Sequence, residues 1–192
     1  MMAYRVVLIG GSAGSLEVVL DLLKSMSPFR SYSLVIILHR KSGEDNKLEE
    51  LLALKTNIPV KEVEDKTALA PGAIYVAPSD YHLLFEKNGT LSLDTSEKVN
   101  YSRPSIDVSF ESAADAYGNG VAAILLSGAN ADGTQGLKIV KQAGGMTIVQ
   151  DPDTAEMPFM PKHAVENAAP DKALDAEGIA AFLNDMANSA QK

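Results

Sequence analysis

The chain has 192 residues, 46% of them hydrophobic and 22% charged, which fits one ordinary globular domain with a sizeable core and argues against a disordered chain or a fibrous rod. Seventeen basic against twenty-five acidic side chains give a net charge of −8, the wrong sign for a polyanion partner, so nucleic acid is not expected. The absence of cysteine and the presence of only three histidines leave no disulfide framework, no thiol nucleophile and few ligands for a transition metal, as suits a reducing compartment.

Met1 to Arg5 run straight into Val6-Val7-Leu8-Ile9 and then glycines, too short an apolar stretch for a secretion signal. The longest apolar runs, Leu34–Leu38 and Val121–Leu126, fall well below the roughly 20 residues of a membrane span. A cytoplasmic protein without membrane insertion is expected. Short β-branched runs then alternate with helical periodicity. A strand over Tyr4–Ile9 is followed by Leu16, Val19, Leu20 and Leu23 at helical spacing, and a strand over Ser33–Leu38 by Leu48, Leu51 and Leu52. Strands are predicted over Val60–Glu64 and Ala73–Ala77. Tyr81–Glu86 and Thr90–Leu93 flank Lys87-Asn88-Gly89, and Asn-Gly between two strand-like runs predicts a tight antiparallel hairpin, placed here at a mixed sheet edge. A helix carrying Ile106, Phe110, Ala113 and Ala114 leads to a strand over Val121–Leu126, and a helix with Leu137, Val140 and Lys141 to a strand over Met146–Val149. Pro152, Pro158 and Pro161 mark the least regular stretch, predicted to be an ordered surface loop. Ile179, Phe182, Leu183 and Met186, with Gly178 near the start, mark a last helix. The alternation predicts a doubly wound three-layer α/β/α sandwich, its sheet mostly parallel with an antiparallel hairpin, in a single domain over residues 1–192.

The most informative stretch is Leu8-Ile9-Gly10-Gly11-Ser12-Ala13-Gly14-Ser15, in which a G-x-S-x-G serine follows a buried strand and precedes an amphipathic helix. A tight strand-to-helix turn needs small residues around the nucleophile, and these glycines and Ala13 supply them. The Ala13 backbone N–H, at the positive end of the helix dipole, is a candidate oxyanion donor. A phosphate cradle is the competing reading, but G-x-G-x-x-G needs glycine where Ser12 stands and no P-loop lysine is present. A plain tight turn is the third.

A serine nucleophile needs a base. His39 follows the strand Ser33–Leu38 directly, at the carboxyl edge where such sheets bind ligands. His82, at the start of the hairpin, and His163, in a helical first turn beyond Pro161, default to structural or surface roles. Among carboxylates that could orient the base, Asp132 lies in the small-residue loop Ser127-Gly128-Ala129-Asn130-Ala131-Asp132-Gly133 after another buried strand. It competes with Asp151 and Asp153, and also with a plain role as cap of the helix beginning near Thr134.

Taken in order, several segments resemble the catalytic domain of the CheB-type protein-glutamate methylesterases of bacterial chemotaxis. They are Ile9-Gly10-Gly11-Ser12-Ala13-Gly14, Leu38-His39, Pro71 to Pro78 with Asp80-Tyr81-His82-Leu83, and Arg103-Pro104-Ser105-Ile106-Asp107. Leu126-Ser127-Gly128 with Asp132-Gly133, Gly144-Gly145 with Gln150-Asp151, and Met160-Pro161 with Ala164 complete the series. The resemblance spans residues 4–186. It implies a Ser–His–Asp triad of Ser12, His39 and Asp132, hydrolysis of glutamyl methyl esters on the cytoplasmic region of a chemoreceptor, deamidation of receptor glutamine by the same route, and no metal or organic cofactor. Methyltransferase or kinase partners are compatible with it. The sequence departs from the family pattern at Ala13 (usually threonine), Ser15 (usually glycine), Arg40-Lys41 (commonly Met-Pro) and Gly128-Ala129-Asn130 (Gly-Met-Gly). Ser12 also leaves no room before it for the family's receiver domain, so a catalytic domain without that switch is expected. A binding module of the same fold, without catalysis, is the alternative.

Overall fold

The computed structural model describes residues 5–40 and 48–189. The first strand, β1 (Val6–Gly11), is followed by α1 (Ser15–Ser25), β2 (Ser33–Leu38), α2 (Leu48–Ala53), β3 (Val60–Glu62), β4 (Thr67–Ala68), β5 (Ile74–Val76), β6 (His82–Phe85) and β7 (Thr90–Asp94). The second half carries α3 (Ile106–Tyr117), β8 (Val121–Leu125), α4 (Thr134–Gln142), β9 (Met146–Gln150), α5 (Phe159–Ala168), β10 (Lys172–Leu174) and α6 (Ala176–Ser189). Seven strands form one sheet in the order β10-β9-β8-β1-β2-β5-β3, and every pairing in it is parallel.

Strands buried on both faces alternate their side chains between two cores. Val7 and Ile9 of β1, Leu34 and Ile36 of β2 and Ile124 of β8 pack with Val19, Leu22 and Leu23 of α1, Leu52 of α2 and Ile179 and Leu183 of α6. Val6 and Leu8, Val35 and Ile37, and Leu125 face the other way. They pack with Ile106 and Phe110 of α3, Leu137 and Val140 of α4, and Met160 and Ala164 of α5. The three-layer sandwich expected from the sequence is therefore present, with β1 at the point where the strand order turns.

Three local expectations are corrected. The Asn-Gly hairpin does not edge the main sheet: β6 and β7 pair with each other and β7 with β4, in a separate antiparallel sheet. Leu83, Phe85 and Leu91 from it join the core on the α3 side. The proline-bearing stretch is not all loop. Pro158 caps α5 and Pro161 sits in its first turn, where a backbone N–H has no helical partner to lose, so proline is tolerated. The strand Lys172–Leu174, missed because an exposed edge of three residues has no apolar run, pairs in parallel with β9. The predicted start of the first strand at Tyr4 lies outside the described residues.

Gly10, on the α3 side of β1, lets the first turn of α3 approach the sheet closely. A Cβ there would stand 2.5 Å from Ile106 Cγ2 and 3.2 Å from Phe110 Cζ. Gly10→Ala is expected to cost about 1–3 kcal/mol by overpacking, seen as a fall of about 3–10 °C in the thermal midpoint. An unchanged midpoint would show that α3 is not seated this tightly.

Candidate active site

Three neighbouring parallel strands, β8, β1 and β2, end at the same edge of the sheet, where the strand order turns and where such sheets open a crevice. The register pairs Gly11 with Leu38, so Ser12 and His39 are the next residues on adjacent chains. The ladder continues one step further: His39 N–H donates to the Gly11 carbonyl (3.1 Å) and Ser12 N–H to the Ser127 carbonyl (2.9 Å). Gly14, with φ +77°, turns the chain into α1, a left-handed conformation that glycine adopts without steric cost. This leaves Ala13 exposed. Among the described residues, neither the Ser12 hydroxyl nor the Ala13 N–H has a hydrogen-bond partner.

Ser12 and His39 line one cleft of about 500 Å³. Arg40, Lys98 and Arg103 also line it, against the single carboxylate of Asp80, so its described wall is cationic in a chain of net charge −8. Arg40 donates to the Ala77 carbonyl (2.6 Å) and stands 3.5 Å from Glu62. Lys41 lies outside the described residues.

Asp132 is wholly buried behind His39, and its Oδ2 lies 2.8 Å from His39 Nε2. It does not cap the helix that follows it, whose cap is Gly133 with φ +92°. Instead its carboxylate lies at the N-terminus of α3, accepting from the N–H groups of Ile106 (2.7 Å) and Asp107 (3.1 Å) and from the Ser105 hydroxyl (2.9 Å). The side-chain amide of Asn100 adds a further bond (3.0 Å). Burial alone would raise its pKa, but the bonds from His39, the Ile106 N–H, Asn100 and the Asp107 N–H outweigh it and hold the carboxyl below the ordinary value. An ionised Asp132 only accepts, so the Nε2 contact calls for a proton on Nε2, and in the neutral imidazole that leaves Nδ1 as the accepting nitrogen. Ser102 Oγ lies 3.3 Å from Nδ1.

The remaining candidates lie elsewhere. His82 is buried, with Nε2 on the Glu97 carbonyl and Nδ1 accepting from the Ser105 N–H, a structural role as expected. His163 bonds the Thr134 hydroxyl and stacks on Phe159. Asp151 caps a short 3₁₀ turn and Asp153 lies in that turn. Sequence reasoning missed Asn100 and Ser102, because an isolated polar residue in a polar loop carries no periodic or spacing signal, and it took Ser105 only as part of a motif, with no role of its own. It also missed Asn130, which lines the cleft and accepts the Asp132 N–H through Oδ1 (3.1 Å).

Residues 7–183 match the family model described as CheB methylesterase. The chain belongs to the CheB methylesterase family. A putative protein-glutamate methylesterase/protein-glutamine glutaminase of Leptospira interrogans is 42% identical over 179 residues, 93% of each chain. A protein-glutamate methylesterase/protein-glutamine glutaminase of Pseudomonas aeruginosa is 36% identical over 93% of this chain, which spans 52% of that relative's length. The crystal structure of the Thermotoga maritima CheB methylesterase catalytic domain superposes with a TM-score of 0.90 at 31% identity, over 96% of this chain and 100% of the other. The fold is therefore that of the CheB catalytic domain. Among the described residues no helix is long and apolar enough to cross a membrane.

Two predictions follow from this pair of neighbouring acids. Asp132→Ala strands several inward-facing donors and is expected to cost about 3–5 kcal/mol in urea unfolding, as when one partner of a buried pair is removed; a loss near zero would mean the donors find water. Asp107, packed beside Asp132, is pushed up to about 6, first by burial and then by the Asp132 charge, against the N–H groups of Gly136 and Gly133 and the Asn100 amide. A folded pKa above the unfolded value means that the folded state binds the extra proton. Its contribution to stability is thus full below about 4 and is lost as pH rises through about 6. Asp132 has the opposite sign: its contribution holds above the ordinary carboxylate range and fades as pH falls through its lowered pKa. The midpoint of Asp107→Asn should therefore gain on the wild type between pH 4 and 6 and level off above about 7; a difference independent of pH would contradict the shift.

Proposed function

We propose that the protein hydrolyses glutamate methyl esters on the cytoplasmic region of methylated chemoreceptors, and deamidates receptor glutamine by the same route, as part of chemotaxis-type signalling. The reading rests on membership of the CheB methylesterase family together with one observation: His39, backed by the buried Asp132, lines one cleft with Ser12, at the edge where β8, β1 and β2 end. In this reading Ser12 is the nucleophile, His39 the base and Asp132 its orienting carboxylate. The activities named for the relatives, methylesterase and glutaminase, are one acyl transfer with two leaving groups.

Ser12 Oγ attacks the ester carbonyl while His39 Nδ1 takes its proton, and the Ala13 N–H donates to the oxyanion. Collapse breaks the bond to the methoxy oxygen, which leaves as methanol with that proton. Water then gives a proton to Nδ1 and its oxygen to the acyl carbon, and as the bond to Ser12 Oγ breaks Ser12 takes that proton from Nδ1, leaving a glutamate carboxyl. With glutamine the leaving group is ammonia. Nε2–H stays on Asp132 throughout, which stabilises the imidazolium formed at each step. The cationic wall of Arg40, Lys98 and Arg103 suits a protein segment carrying carboxylates. A cytoplasmic site of action belongs to the same proposal.

The test is methanol release from purified, methylated receptor fragment. Ser12→Ala is expected to lose at least about a thousandfold in kcat with an unchanged thermal midpoint. Equal release by both proteins would remove Ser12 as nucleophile. Tight receptor binding without release or reaction with a serine-directed phosphonate would favour the non-catalytic binding module.

A further inference from the structure

The turn Val99-Asn100-Tyr101-Ser102 is a strained element. Val99 N–H donates to the Ser102 carbonyl (3.2 Å) and Ser102 N–H to the Val99 carbonyl (2.9 Å). Asn100 and Tyr101 between them have φ of 51° and 63°, a two-residue loop that needs the left-handed region twice. Asparagine tolerates that region, but tyrosine rarely enters it, and Tyr101 stands 97% exposed, with no packing to hold it there. Such strain persists where the surroundings over-determine the conformation.

The surroundings here are the groups behind the cleft. The Asn100 side-chain nitrogen reaches inward and gives one N–H to Asp132 Oδ1 (3.0 Å) and the other to Asp107 Oδ2 (2.8 Å). Both carboxylates, when ionised, only accept, which fixes the orientation of the amide. Two residues on, Ser102 Oγ meets His39 Nδ1 at 3.3 Å and the Asn100 carbonyl at 3.4 Å. That hydroxyl can serve the imidazole in both protonation states. It donates to Nδ1 when the nitrogen is bare, and when Nδ1 carries a proton it accepts that proton and turns its own toward the Asn100 carbonyl. One turn thus touches the Asp132–His39 pair at both ends.

We propose that Asn100 and Ser102 are positioning residues of the hydrolysis: Asn100 fixes the carboxylate that holds Nε2, and Ser102 holds Nδ1 on the cleft side until bound substrate lets Ser12 take its place. This rests on the reading of Ser12, His39 and Asp132 given above. Neither residue reacts. Their work is to keep one tautomer and one ring orientation, so that the nitrogen offered to Ser12 is always the bare one.

The test uses Asn100→Gly, since glycine takes the left-handed conformation without strain, and Ser102→Ala with Ser102→Thr as the variant that keeps the hydroxyl. On methylated receptor fragment, Asn100→Gly and Ser102→Ala are each expected to lose about tenfold to a hundredfold in kcat, with KM held within about twofold. That is less than the loss expected for the base itself. Ser102→Thr should recover most of the rate. The rate of Ser12 modification by a serine-directed phosphonate should fall in parallel. Nitrogen-15 spectra of the imidazoles should show His39 protonated at Nε2 in the wild type and a mixture of tautomers in Asn100→Gly. Variants that lose only thermal stability, with kcat, phosphonate rate and tautomer as in the wild type, would overturn the proposal. If the wild type itself releases no methanol, the activity reading fails, while the phosphonate rate and the spectra still decide the roles of Asn100 and Ser102.

Discussion

A carboxylate removed from water survives as an anion only where hydrogen bonds replace its hydration. Asp132 is such a group, and its donors come from separate parts of the chain: His39 beyond β2, Asn100 in a surface turn, and Ser105, Ile106 and Asp107 at the start of α3. Satisfying that one anion therefore fixes the position of the imidazole, the turn and the helix relative to the end of β8. Gly10 and Gly133 are tied to the same demand. A side chain at either would meet Ile106, the residue whose N–H is the shortest bond from α3 to the carboxylate.

The sheet does the remaining positioning. Parallel strands deliver successive chain segments to one edge, and β1 at the centre, flanked by β2 and β8, brings residues 12, 39 and 132 to that edge from distant parts of the sequence. A second, half-buried acid beside the first has a cost, which appears as the raised pKa of Asp107. Asn100 spans both carboxyls with a neutral amide, supplying donors without adding charge. The described lining of the cleft carries more basic than acidic side chains, opposite to the net charge of the chain. The acids are spread over the surface while Arg40, Lys98 and Arg103 gather at the opening, so a total of −8 said little about what could dock there.

Where the sequence carried a long apolar signal it could be read closely. Ser33–Leu38 coincides with β2, and the helices through Val19, Phe110, Leu137 and Leu183 lie where their spacing put them. Reading failed where the signal was weak or had two meanings. Lys172–Leu174 is too short and exposed to show alternation, and prolines 158 and 161 mark a helix start as readily as a loop. The hairpin was legible from Asn-Gly, but its sheet was not, because a turn motif specifies the local pairing and says nothing of which third strand joins it.

Ser12, His39 and Asp132 could be picked out because each follows a buried strand in small-residue or strand-end context, and the ordered series of motifs pointed to the CheB family. Composition, periodicity and motif order thus determined by themselves the fold class, the family and the residues worth watching. Only the tertiary structure decided that Asp132 accepts at the start of α3 rather than capping α4, that His39 turns Nε2 to the carboxylate and Nδ1 to Ser102, and that Asn100 and Ser102 reach the pair from a strained surface turn. Those are relations between segments far apart in the chain. They are set by the hydrogen-bond demand of a buried charge and the register of parallel strands, neither of which leaves a trace in local sequence.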